Sequence, residues 1–138
     1  MRLDLASFAS IRSFAKEYQR AGLPCDVLLA NAGVMFCPYA QTEEGLEMQW
    51  GVNHIGHALL VRLLLPTLRK AAAARIVIVA SLAHAFVRRA DPRKVASANG
   101  FDTHRAYGTS KLANVLYARG LQRHLQSCGD NITVVSLH

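Results

Sequence analysis

The run Ile76-Val77-Ile78-Val79-Ala80 constrains this chain more than any other stretch. It is uncharged, mostly β-branched, and apolar at every position rather than at alternate ones. Such a run suits a strand buried on both faces, and strands of that kind occur in parallel sheets covered by helices. Val27-Leu28-Leu29-Ala30 is a second continuous apolar run, and Asn131 to Leu137, with Val134-Val135 at its centre, reads as a third strand.

The segments between these runs carry a helical period instead. Phe8, Ile11, Phe14, Ala15 and Tyr18 recur on one face, with Ser7 placed to cap the helix and Gly22 just beyond its end. A second helical region is predicted from the polar stretch Gln41–Glu44 to about Lys70, with Thr42 as its cap and acidic side chains near its positive end. About 28 residues of helix would span ~42 Å, more than a compact domain of this size needs. A bend is therefore expected near Gly51, Asn53 and Gly56, with Pro66 loosening the last turns. A third helix is predicted over Ala106 to Gln126, carrying Leu112, Val115, Leu116, Leu121 and Leu125 on or near one side. Between His84 and Arg105 the pattern dissolves into a long loop, in which Asp91-Pro92-Arg93-Lys94 reads as the cap and first turn of a short helix.

Helix alternating with strand three times over predicts a parallel α/β sheet with right-handed crossovers. Ligands bind such sheets beyond the carboxyl ends of the strands, which places Asn31, Ser81 and His138 along one rim. With 138 residues, 51% of them hydrophobic, the chain is sized for one domain with a true core. Its apolar runs fall well short of the ~20 residues needed to cross a bilayer, and the Met1 end has no signal-peptide pattern, so a soluble chain is expected.

Cys25, Cys37 and Cys128 show neither a metal-ligand spacing nor an even count for a disulfide framework. A reducing compartment, read as the cytoplasm, fits them best. His54 and His57 share a helix face, but no third ligand accompanies them, and a polar structural role is expected rather than a metal. The net charge of +7 is dispersed, with local density only at Arg88, Arg89, Arg93 and Lys94 and no aromatic platform beside it. A solvated surface is the expectation, not a nucleic-acid interface.

Chemistry enters with Tyr107-Gly108-Thr109-Ser110-Lys111, because residues four apart lie one above the other on a helix. A phenol alone titrates at ~10, and a neighbouring ammonium favours its ionised form, moving it toward the working range of an acid-base group. The spacing by itself is common to many helices. It gains weight from Asp4, Asn31-Ala32-Gly33, Asn53 and Ser81, which precede it in order.

This set resembles the short-chain dehydrogenase/reductase family, and in particular its retinol dehydrogenase-like branch. Asn31-Ala32-Gly33-Val34-Met35, Cys37-Pro38-Tyr39, Gly51-Val52-Asn53-His54-Ile55-Gly56-His57, Ser81-Leu82-Ala83-His84 and Tyr107-Gly108-Thr109-Ser110-Lys111-Leu112-Ala113-Asn114 carry the resemblance over nearly the whole chain. It implies a Rossmann-like doubly wound parallel sheet and hydride transfer between NADP or NAD and a small apolar aldehyde, ketone or alcohol. By the same resemblance Tyr107 is the general acid or base, Ser81 holds the substrate oxygen, and Asn53 anchors a water leading from Lys111. Asp4, Asn31, Ala32 and Gly33 line the cofactor together with Tyr107 and Lys111, the lysine through the nicotinamide ribose.

The sequence departs from the family's pattern in lacking a Gly-x-x-x-Gly-x-Gly turn. Residues 1–138 are therefore expected to be a single partial dinucleotide-binding domain, holding the central strands and helices without the first two strands and the C-terminal part. An incomplete sheet leaves edges and apolar faces for another chain, so a homo-oligomer is one expected state. The alternative is a truncated, non-catalytic protein-binding module. Ala30 and Ala80 stand where many members carry a second asparagine and a second serine. Members of this branch are often microsomal through an N-terminal apolar segment.

Overall fold

The computed structural model describes residues 1–88, 91, 93 and 98–138. Helix α1 (Phe8–Arg20) begins at Ser7, whose hydroxyl accepts the Ser10 N–H, and buries Ile11 and Ala15 as its period predicts. Strand β1 (Val27–Ala30) follows. Helix α2 (Met48–Trp50) runs into a π-helical segment (Gly51–Gly56) and on into helix α3 (His57–Leu68). Strand β2 (Ala74–Val79), a 3-10 turn (Leu82–Phe86), helix α4 (Thr103–Ser127) and strand β3 (Ile132–Leu137) complete the order.

The three strands form one parallel sheet in the order β1-β2-β3. Leu28 stands beside Ile76 and Ile76 beside Val134, and this register puts Ala74, Ile76, Ile78, Ile132 and Val134 on a single face. All five are buried, together with Leu60, Val61, Leu64 and Leu68 of α3 and Leu121 and Leu125 of α4. The helices therefore pack on this face. Across the sheet, Val27, Leu29, Val135 and Leu137 are exposed, so the strands are covered on one side and not on both as their composition predicts. The fold is the Rossmann-like parallel α/β arrangement, with β1, β2 and β3 ending together along the rim expected for Asn31, Ser81 and His138. The rings of His84 and His138 lie 5.5 Å apart there.

The long second helix differs from its expectation at both its start and its bend. Gln41 pairs instead with Glu47 in an antiparallel bridge, and Gly45 between them has φ +76. Thr42 does not cap the helix, because its Oγ1 accepts the N–H groups of Glu44 and Leu46 inside this turn. Glu47 is the cap: one carboxylate oxygen accepts the Gln49 N–H and the other the Trp50 N–H. The expected bend at Gly51, Asn53 and Gly56 is the π-helical segment itself.

Helix α4 starts three residues earlier than predicted, at Thr103, where the Asp102 carboxylate accepts the His104 and Arg105 N–H groups. Its buried face runs through Ala106, Lys111, Ala113, Asn114, Ala118, Leu121 and Leu125, while Leu116 is exposed. Part of the expected Asp91-Pro92-Arg93-Lys94 turn lies outside the described residues, as do Arg89 and Lys94 of the basic cluster. Cys25, Cys37 and Cys128 are free thiols. No helix among the described residues is long and apolar enough to cross a membrane.

Candidate active site at the strand ends

Lys111 is 4% exposed, which is unusual for an ammonium, since burial disfavours charge unless donors find partners. It lies on α4 with its Nζ donating to the Val79 carbonyl at 3.1 Å, the last residue of β2. Burial pushes its pKa below the ordinary lysine value. Tyr107, one turn earlier and half-buried, stands with its ring centroid 5.6 Å from this nitrogen. The predicted phenol–ammonium pair is thus assembled at the rim of the sheet.

Ser81 opens the 3-10 turn immediately after β2. Its Oγ accepts the Ala83 N–H at 3.2 Å, and its carbonyl accepts the Nδ1–H of His84 at 2.6 Å. This turn lies directly against the start of α4. A Cβ on Gly108 would come within 2.9 Å of the Ala83 carbonyl oxygen, so only glycine lets the residue beside Tyr107 approach the Ser81 turn this closely.

Asn53, 1% exposed, sits inside the π-helical segment and holds the turn after β1. Its Oδ1 accepts the Val34 N–H at 2.8 Å, and its Nδ2 donates to the Val34 carbonyl at 2.9 Å and the Ser110 hydroxyl at 3.2 Å. Gly33 is tightly fitted into this arrangement, since a Cβ there would lie 2.8 Å from Asn53 Oδ1 and 3.8 Å from Lys111 Nζ. Asn53, Gly33, Ser110 and Lys111 therefore meet in one place, although they come from three different elements.

Of the remaining predicted residues, all but Asn31 line a neighbouring groove. Asp4, Ala32 and Gly33 border an open cleft of about 490 Å³ together with Arg2, Leu3 and Val34. One Asp4 oxygen accepts the Ala6 N–H at 2.9 Å, which also makes it a turn residue. Asn31 is exposed at the end of β1. A larger cavity of about 530 Å³ opens between the turn following Ser81 and the start of α4, lined by Phe86, Val87, Asp102, His104, Arg105 and Thr109.

Three site residues were not legible in the sequence. Phe36, with φ +56, packs its ring edge-to-face on Tyr107 at 5.5 Å and against His104 at 4.4 Å. Gln49 is fully buried, with its Oε1 accepting the Phe36 N–H and its Nε2 donating to Thr103, so it ties the Phe36 turn to the start of α4. Asn114 is the third. For Phe36 no sequence signal exists, whereas Gln49 and Asn114 lie one turn from Asn53 and Lys111 on the same helix faces.

His54 and His57 hold this framework as neutral rings. Burial is the main force pushing both below the ordinary value of 6.5. The unfolded chain therefore binds protons first as pH falls, so their stabilisation is complete above about 6.5 and is lost toward their lower folded values. The melting temperature should fall between pH 7 and pH 5, with each histidine contributing at most ~1.4 kcal/mol per pH unit. Thermal scans of the parent and of His57→Gln check this, and the variant should show the shallower dependence.

A parallel α/β sheet with helices on one face, Ser81 at the end of β2 and Tyr107, Lys111 and Asn53 grouped near the same rim define a Rossmann-like fold. Comparison with known proteins narrows this. The profile describing the short chain dehydrogenase family matches residues 1–92. Mouse retinol dehydrogenase 14 is 45% identical over 136 residues, covering 99% of this chain and 40% of that protein. Mouse polyprenol dehydrogenase is 46% identical over 135 residues, with 95% and 40% covered. The solved Pseudomonas aeruginosa RhlG/NADP active-site complex superposes with a TM-score of 0.72 at 26% identity, over 99% of this chain and 50% of that one. The chain belongs to the short-chain dehydrogenase family and is retinol dehydrogenase-like. It spans about two-fifths of the length of the curated relatives that it matches.

Proposed function

We propose that this chain carries the proton-transfer centre of an NADP- or NAD-dependent oxidoreductase acting on an apolar carbonyl compound or its alcohol. The observation that carries this reading is the buried Lys111 ammonium held at a strand end beside Tyr107. Burial of a lone cation is unfavourable, and a purely protein-binding module gives no reason for placing one here. Family membership supports use of a nicotinamide cofactor, as does the NADP in the RhlG complex. Two relatives named for retinol and polyprenol, both long apolar alcohols, support the substrate class.

The residues present suit such a cofactor. Asp4, Ala32 and Gly33 border one open groove, and the missing side chain at Gly33 keeps that groove in reach of Lys111 and Asn53. Asn31 adds an exposed polar group at the end of β1. When bound, a reduced nicotinamide supplies the hydride that the carbonyl carbon receives. Tyr107 gives its hydroxyl proton to the carbonyl oxygen, so the product is an alcohol, and in the reverse direction the phenolate takes that proton back. The Ser81 hydroxyl donates to the same oxygen, where negative charge grows during reduction and a donor helps most. Lys111 orients the nicotinamide ribose and supplies positive charge beside the phenol. Asn53 keeps the β1 turn and the π-helical segment in register around it.

The test measures loss of reduced-nicotinamide absorbance with a series of aldehydes of rising chain length, alongside NADPH titration followed by Trp50 fluorescence. Saturable binding and turnover that favours the longer aldehydes are expected. Binding without turnover of any aldehyde in the series would overturn the assignment.

A further inference from the structure

Asn114 lies on α4 one turn beyond Lys111 and is 1% exposed. Its amide meets three groups from two elements. Nδ2 is 3.0 Å from the main-chain carbonyl of Asn53 and 3.2 Å from that of Val79, and Oδ1 is 3.0 Å from Nδ1 of His54. Carbonyl oxygens only accept, so the amide nitrogen must face both of them, which fixes the orientation of the side chain. Both amide hydrogens are then committed, leaving Oδ1 as an acceptor. His54 must therefore carry its proton on Nδ1.

The Val79 carbonyl receives two donors, the Lys111 ammonium and the Asn114 amide. The Asn53 carbonyl likewise receives two, from Asn114 Nδ2 and from Nδ1 of His57 at 3.1 Å. A carbonyl offers two lone pairs, so both acceptors are filled. One amide thus joins the end of β2, where Lys111 is anchored, to the π-helical segment that organises the β1 turn.

We propose that Asn114 is the positioning residue of the Tyr107–Lys111 pair, sharing the Val79 carbonyl with the ammonium, tying it to the main chain of Asn53, and holding His54 as its Nδ1–H tautomer. The catalytic part of this inference rests on the function proposed above. The geometric part does not. Moving the Lys111 anchor by a fraction of an ångström displaces the charge beside Tyr107, and misplacement on the scale of 1 Å costs ~10²-fold in rate.

The experiment compares the 138-residue parent with Asn114→Leu, which has similar volume and no hydrogen bonds, and Asn114→Asp, which keeps an oxygen for His54 but has no amide donor. Spectra of 15N-histidine-labelled protein read the tautomer directly. The parent should show His54 protonated at Nδ1, Asn114→Leu should lose that state, and both variants should shift the Lys111 side-chain resonances. In the aldehyde assay both variants should lose about ten- to hundredfold in kcat. A parent His54 protonated at Nε2, or Lys111 resonances unmoved in both variants, would overturn the proposal, as would unchanged kcat. Should the parent reduce no aldehyde, the enzymatic reading fails, while the tautomer and the lysine resonances still decide whether Asn114 couples these groups.

Discussion

Tyr107→Phe should lower carbonyl turnover by about 10³-fold, the middle of the range that a positioned general acid supplies. The substitution removes a single oxygen. The ring contacts that hold the residue, edge-to-face on Phe36 and 5.6 Å from the Lys111 ammonium, do not involve that oxygen and survive. The unfolding midpoint and the NADPH titration should therefore match the parent, while kcat collapses. Steady-state kinetics and urea unfolding on the same preparations check the pair of expectations. Turnover within tenfold of the parent would remove Tyr107 from its assigned role and return the motif to an ordinary helical pair.

Asn53→Leu should have the largest effect on the fold itself. Leucine resembles asparagine in size, so the cavity is refilled, but three hydrogen bonds disappear at once. The Val34 N–H and carbonyl lose their partners, and the Ser110 hydroxyl loses one donor while still donating to the Tyr107 carbonyl. An unsatisfied buried backbone group costs ~1–3 kcal/mol, and Val34 is half-buried, so its two groups together should cost about 2 kcal/mol. That is a large part of the ~5–15 kcal/mol that stabilises a typical domain. The urea midpoint should fall sharply. A midpoint equal to that of the parent would show that the β1 turn is held by something other than this side chain.

Most of the framework was legible because its signals are local and repeated. Five helical-period residues preceded by Ser7 located α1, and two uninterrupted apolar runs with a third, mixed one located the strands of a parallel sheet. The same reasoning failed at Gln41–Glu44. Acidic residues beside a threonine have the look of a helix start, but here Thr42 spends its hydroxyl within a tight turn, and Glu47 caps the helix further on. That an incomplete sheet leaves an apolar face open was legible, but which face was not. Val27 and Leu29 are as apolar as Leu28, and composition says nothing about which face a helix will occupy.

At the site, Ser81, Tyr107, Lys111 and Asn53 were visible as unusual residues at strand ends and at an irregular point of a helix. Gln49 and Asn114 were not. Polar side chains on a helix read as its solvated face unless something marks them, and both are buried only because carbonyls and amides from distant segments meet them. That information is carried by long-range contacts rather than by spacing.

The π-helical segment decides where this helix tolerates a change in length. An α-helix turns by ~100° per residue, and a π-turn accommodates one residue more than an α-turn. Gly51–Gly56 therefore sets the angular phase between Met48–Trp50 and His57–Leu68. Deleting a single residue there would restore regular winding and leave Leu60, Val61, Leu64 and Leu68 facing the sheet, because the widened turn absorbs the extra residue. Substitutions within this segment are local events. A deletion within the regular winding of His57–Leu68 would instead rotate everything beyond it by ~100°, so the widened turn is where this helix can lose a residue and keep its core face.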